Sequence, residues 1–176
     1  MFISKFSKPS LITYLGIVIG VVGLYCAAGH LPWAAVCLFL CAVCDFFDGR
    51  FARSFDRNEH EKKFGIAIDS LADTLLFLAL PGVILFSFSG SVVAVLIACV
   101  YALCAITRLA VFTSEAEPDK KTAYYRGLPV TYAGFIIPLV YGAVALLPFA
   151  VAEAVLYIVY LALALLFVLN ISVKKP

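Results

Sequence analysis

Four aspartates in this sequence are spaced as two helical pairs. Asp45 and Asp48 lie in Cys44-Asp45-Phe46-Phe47-Asp48-Gly49-Arg50-Phe51-Ala52-Arg53, and Asp69 and Asp73 in Gly65-Ile66-Ala67-Ile68-Asp69-Ser70-Leu71-Ala72-Asp73. Offsets of three and four put each pair on one face of its helix. Both pairs sit where an apolar run meets a charged one, and the two runs are consecutive and antiparallel, so the acidic faces converge at one depth. Clustered carboxylates repel, and one aspartate at the centre of a bilayer helix already costs roughly 2.5–3.5 kcal/mol. A cation must compensate. Mg2+ and Mn2+ accept hard oxygen ligands and bridge carboxylates to phosphates, and two such divalent cations form a clamp for phosphoryl transfer. Gly49 and Ala52 keep the neighbouring surface small enough for a ligand to approach, and Arg53 can grip a phosphate through two parallel hydrogen bonds. A diphosphate substrate suits such a site.

Two other readings use the same residues. The aspartates could pair with Arg50, Arg53, Arg57, Lys62 and Lys63 as a solvated helix edge, which is the reading for Asp56, Glu59 and Glu61. They could also form the site of a small cation or metabolite carrier. Carriers place such groups near the bilayer midplane, often at broken helices, whereas this cluster lies near one end of its helices.

The elements that position these residues follow from composition. Of 176 residues, 64% are hydrophobic and 14% charged, with a mean hydropathy of +1.07. Soluble domains are about 45–50% apolar and about a quarter charged, so a water-soluble globule is excluded. A net charge of +2 excludes a nucleic-acid binder. Cys26, Cys37, Cys41, Cys44, Cys99 and Cys104 all lie inside apolar runs and read as core residues, Cys41-x-x-Cys44 included, which excludes a disulfide scaffold. Six runs of about the length needed to cross a bilayer are expected as helices: 11–28, 31–48, 65–87, 91–112, 128–147 and 149–171. The expected architecture is an all-α integral membrane protein with six transmembrane helices in a single domain over residues 1–176. The run from Leu11 is read as a true span and not as a signal peptide.

All thirteen Lys and Arg residues fall on one side of this topology. The positive-inside rule therefore puts both termini and the acidic cluster at the cytoplasmic end. Small size without targeting extensions points to the cytoplasmic (inner) membrane. Glu153 is the one acidic residue expected on the outer side, with no evident partner. Gly16, Gly20 and Gly23 make a small-residue stripe on the first helix, suited to close helix packing, for example in a dimer.

The pattern Asp-x-x-Asp-Gly-x-x-Ala-Arg, then a loop, then Gly-x-x-x-Asp-x-x-x-Asp resembles the signature of the CDP-alcohol phosphatidyltransferase family, with every fixed position filled. The resemblance covers the whole six-helix chain. It implies a membrane enzyme, usually a homodimer, that releases CMP from a CDP-linked lipid such as CDP-diacylglycerol by attack of an alcohol. Carried over by position, it implies Asp45, Asp48, Asp69 and Asp73 as metal ligands. Asp73 is also the implied general base. Gly49, Ala52, Arg53 and Gly65 would then shape the nucleotide and diphosphate site. Pro9-Ser10-Leu11-Ile12-Thr13 is similar to the family's Pro-Asn-x-x-Thr entry to the first helix, which adds Thr13 to the nucleotide contacts. Residues 54–64 make a connection longer than the family's usual one, expected as a cytosolic loop.

Four segments resemble the phosphatidylserine synthase branch: Asp45-Phe46-Phe47-Asp48-Gly49, Asp69-Ser70-Leu71-Ala72-Asp73, Arg108-Leu109-Ala110-Val111-Phe112 and Gly127-Leu128-Pro129-Val130. They imply L-serine as the acceptor. A serine carboxylate calls for a guanidinium, and Arg108 and Arg126 are the candidates. A phosphorylated acceptor, glycerol 3-phosphate or inositol phosphate, would need a denser basic pocket, which Lys120, Lys121 and Arg126 could supply.

Overall fold

A computed structural model describes residues 10–52, 59–115, 124–169 and 172–174. The chain forms α1 (Ser10–Ala27), α2 (Leu31–Ala52) and α3 (Glu59–Thr74), which runs through a π turn (Leu75–Ala79) into α4 (Leu80–Ser89). α5 (Val92–Glu115), β1 (Tyr124–Arg126), a 3-10 turn (Val130–Tyr132), α6 (Ala133–Val144), α7 (Phe149–Val168) and β2 (Ser172–Lys174) follow. With α3 and α4 counted as one rod, the described residues contain the six expected helices. Among the described residues, four segments are long and apolar enough to cross a membrane: Leu31–Gly49, Glu61–Ser89, Val92–Ser114 and Phe149–Val168. Leu11–Ala27 and Val130–Val144 are shorter apolar helices. The protein is a multi-pass membrane protein.

The boundaries depart from expectation where local chemistry favours it. α3 starts at Glu59 instead of Gly65, so much of the expected connecting loop is helix. Glu61 in the first turn accounts for this, because an acidic residue near a helix N-terminus favours the macrodipole. α6 starts later and ends earlier than the apolar run, since Pro129 and Pro148 offer no N–H and both hold extended backbone angles. Beyond the helices, β1 and β2 pair antiparallel with Tyr125 opposite Val173, a short ladder that apolar periodicity does not announce.

The break at the π turn has an identifiable cause. Pro81 has no N–H for the carbonyl four residues earlier, that of Phe77, and its ring crowds that carbonyl. The helix widens there, with Leu80 N–H bonding Leu75 O. The buried Tyr101 hydroxyl donates to Phe77 O at 2.6 Å, and the buried Tyr160 hydroxyl to Pro81 O at 2.8 Å. The two rings pack at 5.2 Å, tying α5 and α7 to the widened turn. Tyr101→Phe leaves Phe77 O buried without its donor, an expected loss of about 1–3 kcal/mol. Thermal unfolding in detergent would read this as a lowered melting temperature, and an unchanged one would refute the capping role.

Without a hydrophobic drive between helices in lipid, close packing by small residues holds the bundle. The glycine stripe of α1 serves close helix packing, as its small residues lead one to expect, and does so inside the chain. A Cβ on Gly20 would collide with Leu76 Cδ2, and one on Gly23 would lie 2.9 Å from Cys37 Cβ. Gly134 of α6 is as tightly enclosed, with Ala42 Cβ and Phe77 Cε1 each 2.7 Å from a Cβ placed there. Glu153 needs correcting: it accepts hydrogen bonds from Ser89 and from the Tyr157 hydroxyl (2.8 Å), and Ser91 joins Tyr157 at 2.7 Å. That cluster latches the α4–α5 turn to α7. All six cysteines are free, as the sequence leads one to expect.

Candidate active site

Asp45, Asp48, Gly49 and Ala52 recur at offsets of three and four along α2, a single stripe, while Phe46 and Phe47 between them are exposed. Gly65, Asp69 and Asp73 form the matching stripe on α3. The stripes meet. Oxygens of Asp45, Asp48 and Asp69 all lie within 4.8 Å of one another, and the buried Asp73 carboxyl is in hydrogen-bond contact with that of Asp45. At 1.5 Å per residue, Asp69 is about 30 Å along the rod from Ser89, close to the thickness of a hydrocarbon core. The acidic cluster therefore sits at one membrane edge.

Two hydroxyls from other helices brace the α2 aspartates. Thr13 of α1, itself buried, donates to Asp48 Oδ2 at 2.9 Å. Thr131, in the 3-10 turn before α6, donates to Asp45 Oδ2 at 2.6 Å. The Gly49 backbone N–H also donates to the Asp48 carboxylate. Among the described residues, a Cβ placed on Gly49 would have open space around it, as the approach of a ligand requires. Converging carboxylate oxygens braced by neutral donors, with no nitrogen or sulfur ligand among them, are the donor set of a hard divalent cation. The residues fit Mg2+ or Mn2+.

Of the residues expected at the site, Asp45, Asp48, Asp69 and Asp73 are brought together, and Thr13 reaches the same cluster through its bond to Asp48. Gly65 sits one turn before Asp69 on its stripe. Ala52 continues the α2 stripe and Arg126 ends β1, but their side chains lie outside the described residues, as do Arg53, Lys120 and Lys121 entirely. Arg108 is buried on α5 with its guanidinium 5.1 Å from the centroid of the Phe112 ring. The Ser70–Thr113 contact (2.8 Å) and the Tyr101–Phe77 bond (2.6 Å) bracket α3 against α5 and put Arg108 level with Asp73.

Thr131 was missed by sequence reasoning. It follows Gly127-Leu128-Pro129-Val130 directly, so the signal was a hydroxyl at the entry to the fifth span, but nothing local shows that this turn reaches Asp45, 86 residues earlier.

The CDP-alcohol phosphatidyltransferase family model matches residues 6–169. Among curated proteins, the chain is 35% identical over 121 residues to a CDP-diacylglycerol–serine O-phosphatidyltransferase of Mycobacterium leprae, covering 67% of this chain and 39% of that protein. It is 34% identical over 119 residues to the protein of the same name from Mycobacterium tuberculosis, covering 66% and 41%. The chain thus spans about two fifths of the length of the curated relatives it matches.

Proposed function

The chain belongs to the CDP-alcohol phosphatidyltransferase family, and we propose that it transfers the phosphatidyl group of CDP-diacylglycerol to the hydroxyl of L-serine, forming phosphatidylserine and CMP. The observation that carries this reading is the cluster of Asp45, Asp48 and Asp69 oxygens with Asp73 against Asp45 and, among the described residues, open space at Gly49. Asp45, Asp48 and Asp69, with Asp73 as the fourth ligand that the family resemblance implies, would hold two divalent cations, Mg2+ or Mn2+. Bound there, the cations supply positive charge to the diphosphate and to the departing CMP.

The chain's own residues do the rest. Asp73 accepts the proton of the serine hydroxyl as that oxygen bonds to the phosphorus carrying the diacylglycerol. The bond from this phosphorus to the bridging oxygen breaks, and CMP leaves with the electron pair. Gly49, Ala52 and Gly65 leave room for the nucleotide, and Arg53 answers a phosphate. Thr13 acts there through its bond to Asp48. Arg108, level with Asp73, and Arg126, at the end of β1, would receive the serine carboxylate. Serine as acceptor is supported by the names of the mycobacterial relatives and by the Arg108-Leu109-Ala110 and Gly127-Leu128-Pro129 segments. The clustering of basic residues supports a site facing the cytoplasm from the inner membrane, with both termini on that side, and the family resemblance supports a homodimer.

CMP release by the detergent-solubilised protein tests the reading. With CDP-diacylglycerol and Mg2+ or Mn2+, release should depend on L-serine and stop on chelation. Release with glycerol 3-phosphate or inositol phosphate instead would keep the reaction class and overturn the acceptor. No release with any acceptor, alongside cation uptake into proteoliposomes, would favour a carrier.

A further inference from the structure

We infer that Thr131 is a positioning residue of the acidic site, its hydroxyl holding one carboxylate oxygen of Asp45 so that the other is left for a divalent cation. The inference rests on the cation-binding reading of the cluster. Asp45 is the hub of that cluster, lying within reach of Asp48 and Asp69 and also touching Asp73. A carboxylate with several neighbours can turn toward any of them. Thr131 limits this choice, because a hydroxyl has one proton to give and here gives it to Asp45 Oδ2 at 2.6 Å, in the short range of charge-assisted bonds. Its β-branched side chain has few χ1 options, so the hydroxyl is held and does not search for its partner.

Thr131 is in turn placed by a pinned turn. Gly127 has φ +75°, and a Cβ there would lie 2.6 Å from Phe167 O, so the chain passes this close to the end of α7 only with glycine. Leu128 N–H bonds Leu166 O at 3.1 Å, and Tyr132 N–H bonds Pro129 O at 3.1 Å, closing the 3-10 turn that carries Thr131. The Gly-Leu-Pro segment thus connects the end of α7 to one oxygen of Asp45. Thr13 does the corresponding service for Asp48 from α1.

The test is a titration of the purified full chain with Mn2+ alone, with free Mn2+ read by electron paramagnetic resonance. Groups that orient a metal ligand typically change affinity by about 10- to 100-fold when removed. Thr131→Val should weaken Mn2+ binding by that factor, and Thr131→Ser, which restores the hydroxyl, should bind as the unaltered protein does. In turnover, the Val variant should show a raised Mn2+ requirement, with the KM for CDP-diacylglycerol little changed. Unaltered Mn2+ affinity in Thr131→Val, with Asp45→Asn binding weakly, would overturn the inference and leave the metal site standing. Should the Val variant not fold, a folded Thr131→Ser protein with weakened binding would overturn it equally. An unaltered protein that binds no Mn2+ would overturn both the inference and the reading beneath it.

Discussion

Asp45→Asn should reduce CMP release by about 10³-fold or more and should also abolish the Mn2+ binding seen without substrate. Asp45 is the residue through which the cluster is connected: it shares the 4.8 Å set with Asp48 and Asp69, touches Asp73, and accepts from Thr131. The amide is nearly the same size, so packing is preserved. One carboxylate charge is lost, and an NH2 group that cannot ligate takes the place of one oxygen. A divalent cation stabilises transition-state charge by several kcal/mol, and each 1.36 kcal/mol is a factor of ten in rate, which sets the expected scale. The measurement pairs the CMP assay with the Mn2+ titration and a melting curve. A folded Asp45→Asn protein that still binds Mn2+ and turns over would remove the carboxylate cluster from the chemistry altogether.

Asp73→Asn should separate proton transfer from cation binding. General-base catalysis contributes typically 10²- to 10⁴-fold, and turnover should fall by about that much. Mn2+ affinity should fall less than in Asp45→Asn, because the three oxygens that converge within 4.8 Å belong to Asp45, Asp48 and Asp69. Asp73 borders them through Asp45 and is buried at the level of Arg108, where an acceptor would meet it. A variant that keeps full turnover would exclude Asp73 as the base. One that loses Mn2+ binding as completely as Asp45→Asn would instead make Asp73 chiefly a ligand. Comparing the two substitutions assigns separate work to residues that their spacing alone leaves equivalent.

How far each feature was legible depends on the separation of the residues that make it. Helix content and the six apolar helices were readable because burial in lipid demands long apolar runs, whereas, among the described residues, four of the six expected spans have the length and hydropathy to cross a membrane. The acidic stripes were readable because offsets of three and four are properties of one helix. The widened turn before Pro81 left a trace in the proline, yet its stabilisation by Tyr101 and Tyr160 did not, since those hydroxyls come from other helices. The helical start at Glu59 was misread because charged residues signal solvent and helix propensity at once. The glycine stripe of α1 was legible as a close-packing surface, but only the path of Leu76 and Leu80 shows which neighbours it packs against.

The sequence by itself determined that this is a helical membrane protein with four carboxylates at one edge, since hydropathy, charge and helical spacing act within single segments. Tertiary structure alone decided which groups brace those carboxylates. Thr13 and Thr131 reach Asp48 and Asp45 across 35 and 86 residues, and contacts at that separation exist only once helix packing has chosen which faces meet.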